Sequence, residues 1–227
     1  MVTTVYLIRH AESEGNAQEF FQGNLDTPLT VKGEKQLEYL TERFRDVKLD
    51  AIYYSPYRRT ELTAEAVNSR HHLKMIPEYD LRELNGGDWE GRRVADLPYD
   101  YPAEYRTWCT DMPRFAAPNG DTMQEVYDRI CNIITKIAKE NPGKTVAVVS
   151  HGCALRNFLS FLGSGSIEGL GEVGWSDNTA VSCAEYDTET GWKLIYKNDS
   201  RHLPEELGTM RNSVWTRAER AAKEAKK

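Results

Sequence analysis

The chain has no long apolar run, no cationic excess and no closely spaced cysteines. The first absence leaves no candidate transmembrane helix, so no membrane partner is expected. The second is a net charge of -6, from 29 Lys and Arg against 35 Asp and Glu. General nucleic-acid binding needs a basic footprint, so it is not expected either. A local basic pocket for an anion is still allowed. The third leaves Cys109, Cys131, Cys153 and Cys183 scattered, with no C-x-x-C, so free thiols in a reducing cytoplasm are expected. The N-terminus lacks a basic stretch followed by an apolar one, so no signal peptide is expected. Also missing are H-E-x-x-H, G-x-x-x-x-G-K-S/T and G-x-S-x-G. Motif evidence for a zinc hydrolase, a P-loop enzyme or a serine hydrolase is therefore absent. No internal repeat is present, and the one biased segment is the Ala/Lys/Glu-rich C-terminal tail.

What the chain does have is a set of short apolar runs that end in chemistry. With 227 residues and 40% hydrophobic content it is long enough to bury a substantial core as one domain. Val5 to Ile8 reads as a buried strand, being short, β-branched and aromatic. It runs into Arg9-His10. Residues just past a buried strand's carboxyl end emerge where α/β enzymes place ligands. Arginine offers a fixed fork for phosphate or carboxylate oxygens, and histidine attacks phosphorus or moves protons near neutral pH. Taken alone, the pair reads better as an ordinary strand end with two solvated residues.

A polar loop, Glu12 to Asp26, follows, with Phe20 and Phe21 inside it as packing anchors or a pocket wall. Thr30 is a plausible N-cap for a helix carrying Leu37, Leu40, Phe44 and Val47 on one face. Gly33 falls in its first turn, where a missing side chain permits close packing. Ala51 to Tyr54 is a second strand. It ends at Ser55-Pro56-Tyr57-Arg58-Arg59, with a helix expected over 60–68, so another strand end delivers arginine. Leu73 to Ile76 reads as a third strand, stopped by Pro77. The segment from Leu81 to Gly91 is tightly turned around three glycines, and one of its carboxylates is a candidate acid or base.

Residues 92–118 hold Trp108, three tyrosines and several prolines and arginines, too irregular for one clean helix. They read as a cap-like insertion that covers a site. Thr122 with Glu125 forms a capping box for a long helix with Val126, Ile130, Ile133, Ile134 and Ile137 inward. Thr145 to Val149 is the clearest buried strand and runs into Ser150-His151-Gly152, where Gly152 would let backbone N–H groups approach an anion. A helix is expected over 153–162 and a mobile Gly/Ser-rich stretch over 164–175. A hairpin then runs from Val181 to Tyr196, giving a mostly parallel sheet one antiparallel member at its edge. Leu207, Met210 and Val214 are placed to dock a helix, and fraying is expected beyond Arg217.

Collected, Arg9, His10, Arg59, Glu83 and His151 come from separated segments, several just after strands, so a parallel sheet brings them to one edge. Two arginines and two histidines make a cationic hole sized for a phosphoryl group. The arginines would repel a divalent cation, so no metal is expected.

These motifs resemble the histidine phosphatase superfamily, also called phosphoglycerate mutase-like. Leu7-Ile8-Arg9-His10-Ala11-Glu12-Ser13 matches its R-H-G/A-E/Q-S/T signature. Asp26-x-Pro28-Leu29-Thr30-x-x-Gly33-x-x-Gln36, Ser55-Pro56-Tyr57-Arg58-Arg59-Thr60, Leu81-x-Glu83-x-x-x-Gly87-x-Trp89-Glu90-Gly91 and Val149-Ser150-His151-Gly152 match four further blocks. The resemblance implies a three-layer α/β/α sandwich with a mostly parallel sheet, one antiparallel strand and a small cap-like insertion, all in one domain over residues 1–227. It implies His10 as the nucleophile, forming phosphohistidine. Arg9, Arg59 and His151 would clamp the phosphoryl oxygens with the Gly152 backbone nearby, and Glu83, protonated, would serve the leaving oxygen. Asn16 and Gln22 would line the phosphate or substrate pocket. The neighbouring arginines should keep His10 neutral, and the protonated Glu83 implies an acidic-to-neutral optimum. No cofactor is implied. The favoured activity is a cytoplasmic phosphomonoesterase acting on a small phosphate ester, as a monomer or homodimer. A bisphosphoglycerate-primed phosphoglycerate mutase is the alternative, and an inactive binding module ranks below both. Gly120-Asp121-Thr122 departs from the usual Gly-Glu-Ser.

Overall fold

A computed structural model describes residues 1–210 and 213–217 of the chain. In chain order it contains β1 (Val2–Arg9), α1 (Glu14–Ala17), α2 (Val31–Phe44), β2 (Ala51–Tyr54), α3 (Arg58–Asn68), β3 (Met75–Pro77), α4 (Leu97–Asp100), α5 (Pro102–Thr110), α6 (Met123–Glu140), β4 (Thr145–Ser150), α7 (Gly152–Ser164), β5 (Val181–Asp187) and β6 (Gly191–Asp199). The strands form one sheet in the order β3-β2-β4-β1-β5-β6. Pairing is parallel from β3 through β1 and antiparallel where β5 meets β1 and β6.

Strand alternation builds three layers. Val5 and Leu7 of β1 and Val146 and Val148 of β4 face the isoleucines of α6 and Ala154 and Phe158 of α7. Ile8, Ala147 and Val149 point the other way, onto Leu40 and Phe44 of α2 and Ala64 and Val67 of α3. Both central strands are therefore apolar on both faces, which is why they read as continuous hydrophobic runs. The hairpin does close one edge of the sheet, but the strand that runs against the others is β5, one place in from the edge, because β6 turns back alongside it.

The helix signals behave as their chemistry dictates. Thr30 accepts the Gly33 N–H at 2.9 Å and caps α2. Thr122 and Glu125 form the reciprocal capping box of α6. Gly33 sits where a Cβ would come within 2.1 Å of the Glu12 carbonyl oxygen. Only glycine lets α2 press against the loop that follows β1. β3 begins later than expected because Asn68 bonds both the N–H and the carbonyl of Leu73, each at 2.8 Å, holding that residue to the end of α3. It then includes Pro77, which an edge strand paired only to β2 tolerates.

Residues 92–118 fold into α4, α5 and short helical turns. Their side chains Val94, Leu97, Trp108, Met112 and Phe115 form a further buried cluster with Phe21, Leu84, Trp89 and Val126. The 164–175 stretch is not a bare loop. A 3-10 helix, Ile167–Glu172, buries Ile167 and Leu170 in that same cluster, so two apolar anchors outweigh the segment's four glycines and two serines. Leu207 is buried, and a helical turn over 214–217 sets Val214 and Trp215 against the insertion. The expected fraying beyond Arg217 lies outside the described residues. None of the four cysteines forms a disulfide. Among the described residues, no helix is long and apolar enough to cross a membrane.

Candidate active site

The carboxyl ends of β1, β4 and β2 lie side by side and deliver His10, His151 and Ser55. The His10 and His151 rings meet edge to face with centroids 5.3 Å apart. His10 is held by its own loop. Its Nδ1 lies 2.7 Å from the Ala11 carbonyl oxygen. A carbonyl can only accept, so Nδ1 carries the proton and Nε2 of the neutral ring keeps a free lone pair. Burial, then Arg59, then Arg9 hold the His10 imidazolium well below the usual range, against a smaller pull from Ala11. The arginines thus act in the expected direction, but desolvation leads. His151 is fully buried and pushed the same way, by burial first and Arg59 second. Its Nε2 lies 2.8 Å from Ser55 Oγ, and its Nδ1 has no protein partner.

Two guanidinium groups flank the histidines. Arg9 is 5% exposed and Arg59 1%. Arg9 Nη1 donates to the Ser176 carbonyl. Arg59 donates from Nη2 to the Gly23 carbonyl at 2.9 Å and from Nη1 to the Leu25 carbonyl at 2.6 Å. These carbonyls fix both forks in place. Burial pulls Arg9 down to about 10, opposed by Glu83 and then Asp177, so it remains a cation at neutral pH. The Nε donors of both arginines are buried with no protein partner. Leaving a buried donor unpaired costs about 1–3 kcal/mol. Clustered orphans of this kind belong to a site built for an anion.

Glu83 enters from the segment between β3 and α4 and is seated on the start of α7. Its Oε1 accepts the N–H groups of Leu84 and Ala154, and its Oε2 accepts that of Cys153, all at 2.9 Å. The Cys153 and Ala154 N–H groups at the start of α7 are therefore already turned onto this carboxyl group. Gly152 has a different steric role: a Cβ there would press on Arg9 Nε at 3.2 Å.

Arg9, His10, Asn16, Gln22, Arg59, Glu83 and Gly152 all line one cavity of about 510 Å³, mouth included. His151 is not among the lining residues; it is fully buried with its ring against that of His10. Asn16 Oδ1 accepts from Ser13 N–H and Asn178 Nδ2, and Gln22 Oε1 accepts from the hydroxyls of Ser13 and Thr27. Both amides spend their oxygens on the protein, which leaves their nitrogens as donors for the cavity.

Several supporting residues escape sequence reasoning. Asn178 Nδ2 donates to the His10 carbonyl at 2.9 Å, and Thr179, at φ +59°, donates its N–H to the Arg9 carbonyl. Arg129 of α6 donates to the carbonyls of Asp80, Arg82 and Glu83, and so sets the backbone that carries Glu83. Tyr57 lays its ring edge to face on His151 with its phenol bonded to Asn24. An arginine on a helix's polar face and an Asn-Thr before a strand carry no local signal of these contacts.

The buried histidines make stability depend on pH. His202, which bridges Arg43 and Thr179, is lowered to about 4, chiefly by burial and then by Arg43. Between pH 6.5 and about 4 the unfolded chain binds this proton and the folded chain does not, so stability falls as pH falls through that window. His10 and His151 add to the same trend. Thermal unfolding followed across pH 7 to 4 is expected to show a declining Tm, and His202→Gln is expected to flatten the slope. An unchanged slope would place the acid sensitivity elsewhere.

Comparison with known proteins follows the same residues. The histidine phosphatase superfamily (branch 1) model matches residues 5–200. Phosphoserine phosphatase 1 of Hydrogenobacter thermophilus is 35% identical over 150 residues, covering 66% of this chain and 71% of that protein. A probable phosphoglycerate mutase, GpmB, of Salmonella typhi is 30% identical over 209 residues, 88% of this chain and 94% of its own. Among solved structures, Bacillus stearothermophilus YhfR gives a TM-score of 0.84 at 28% identity, over 88% of this chain and 98% of that one.

Proposed function

Since the chain belongs to the histidine phosphatase superfamily (branch 1), we propose that it is a phosphomonoesterase that hydrolyses a small phosphorylated metabolite through a phosphohistidine on His10. The observation that carries this reading is the Nδ1 hydrogen bond from His10 to the Ala11 carbonyl, which aims a neutral Nε2 lone pair between two buried arginines.

The chemistry proceeds in two displacements. His10 Nε2 attacks phosphorus while the P–O bond to the alcohol breaks. Arg9 and Arg59 stabilise the charge spread over the non-bridging oxygens, and His151 joins them through Nδ1, its ring atom without a protein partner. Glu83 supplies the proton to the departing alkoxide. Its Oε1 accepts two N–H groups and its Oε2 only one, so Oε2 is the atom with a lone pair free to hold that proton. Water then attacks the phosphohistidine, giving its proton to Glu83, and His10 is regenerated. Asn16 and Gln22 bind the phosphate or the alcohol, and the Gly152 backbone lies against Arg9.

Residues 1–227 act in this reading as one domain, with residues 92–118 as a cap-like insertion. The protein works in the cytoplasm as a monomer or homodimer, with no cofactor and no nucleic-acid or membrane partner. Mutase activity would use the same phosphoenzyme with a second bound hydroxyl as acceptor. The mixed-charge insertion and the Gly87-Asp88-Trp89-Glu90-Gly91 form of the donor motif favour water. The deciding experiment measures phosphate release from a panel of phosphomonoesters beside conversion of 3- to 2-phosphoglycerate with bisphosphoglycerate primer. Phosphate release is expected to dominate. Mutase turnover much faster than release would reverse the assignment.

A further inference from the structure

The cavity that holds His10 is charged at one end and aromatic at the other. Trp108 of α5, Trp175 after the 3-10 helix at 167–172, and Trp215 of the turn at 214–217 all contribute to its wall. The three indoles touch one another. Trp175 lies near parallel to Trp108 and to Trp215, at 26° and 29°, with centroids 6.1 and 5.9 Å apart, and Trp108 meets Trp215 at 5.3 Å. Phe21 sets its edge against both Trp108 and Trp215. Behind them, the buried Arg156 places its guanidinium 4.5 Å over the Trp175 ring and donates Nε to the Val173 carbonyl, which holds that indole in place. Trp175 and Trp215 remain half-buried, so the wall still has surface to offer.

Charge sharpens the choice of ligand. Among the residues lining the cavity, the arginines are Arg9 and Arg59, both beside His10, and no lysine is present. The cavity's carboxyl group is Glu83. An alcohol carrying its own carboxylate would be stripped of water beside indoles, and the described lining residues hold no cation beyond Arg9 and Arg59 to receive it. A flat, uncharged ring would pack against the part of those indoles that stays exposed.

Resting on the phosphomonoesterase reading, we propose that the favoured substrates are phosphomonoesters of alcohols bearing an uncharged planar ring, held by Trp108, Trp175 and Trp215. Small amino-acid or hydroxy-acid phosphates are disfavoured. The selection operates on the alcohol, and the phosphoryl chemistry at His10 is common to all esters.

Three esters of primary alcohols test this with broadly similar leaving groups: 2-naphthylethyl phosphate, ethyl phosphate and phosphoserine. The expected order of kcat/KM is naphthylethyl, then ethyl, then phosphoserine, with roughly a tenfold first step carried mainly by KM. Trp175→Leu, which keeps apolar bulk and loses the flat ring, is expected to shrink the naphthylethyl-to-ethyl ratio several-fold. Trp215→Leu, at the outer turn, provides a second variant should Trp175→Leu fail to fold. Phosphoserine turned over as fast as the naphthylethyl ester, or a ratio unmoved in a folded variant, overturns the proposal while leaving the phosphatase reading standing. No His10-dependent phosphate release from any of the three overturns both.

Discussion

His10→Ala is expected to lower kcat for phosphate release by roughly 10³-fold or more, equivalent to about 4 kcal/mol of lost transition-state stabilisation. No neighbouring group can take over. His151 is fully buried, and its Nε2 is engaged with Ser55. The effect should fall on kcat with little change in substrate affinity, since Arg9 and Arg59 are anchored by backbone carbonyls that do not involve His10. A rapid-quench experiment with labelled substrate gives the second readout. The wild-type protein should trap label in a bond that acid breaks and base leaves intact, and the variant should trap none. Circular dichroism establishes that the variant is folded, because His10 is itself buried. A folded His10→Ala protein with full activity would sink the covalent mechanism.

The parts of this design that were legible from sequence are those where local chemistry and global placement coincide. β1 and β4 are covered on both faces, so each had to be an unbroken apolar run, and the polar residue ending each run had to emerge at the sheet edge. The capping box at Thr122 and Glu125 and the N-cap at Thr30 need only their neighbours in the chain. The second motif block is instructive in a different way. Gly33 and Gln36 do not touch the cavity. Gly33 admits the Glu12 carbonyl, and Gln36 accepts the Glu12 N–H at 2.9 Å while donating to the Leu207 carbonyl. That block braces the loop after His10.

What sequence could not display is set by contacts between distant segments. The position of β5 inside the edge depends on which strand of the hairpin pairs with β1. Asn178, Thr179 and Arg129 act through backbone carbonyls of other segments, which have no sequence signature at all. Trp215 looks like an isolated aromatic in a polar tail, and it becomes a wall of the cavity only because Phe21, Trp108 and Trp175 converge on it. Segment 164–175 departs from its composition for a related reason. Its glycines suggest motion, and the burial of Ile167 and Leu170 cancels that suggestion.

Glu83→Gln separates two roles that the geometry gives to one side chain. Glu83 is both the proposed proton donor and the seat for the first N–H groups of α7. Glutamine keeps one oxygen acceptor but must set an NH₂ against one of the three backbone donors. Stability should therefore fall by about 1 kcal/mol, visible as a small drop in Tm. The kinetic effect should be far larger and should depend on the leaving group. An alkyl phosphate must have its alkoxide protonated as it departs, so its kcat/KM is expected to fall by roughly 10²–10⁴-fold. For 4-nitrophenyl phosphate, whose phenolate leaves without a proton, the fall should be much smaller. If both esters lose activity equally, Glu83 acts through the placement of α7 and Gly152 beside Arg9, and the proton must come from elsewhere. If only the alkyl ester suffers, the carboxyl group's proton is itself part of the reaction, and its three N–H contacts serve to aim Oε2 at the oxygen that leaves His10's phosphorus.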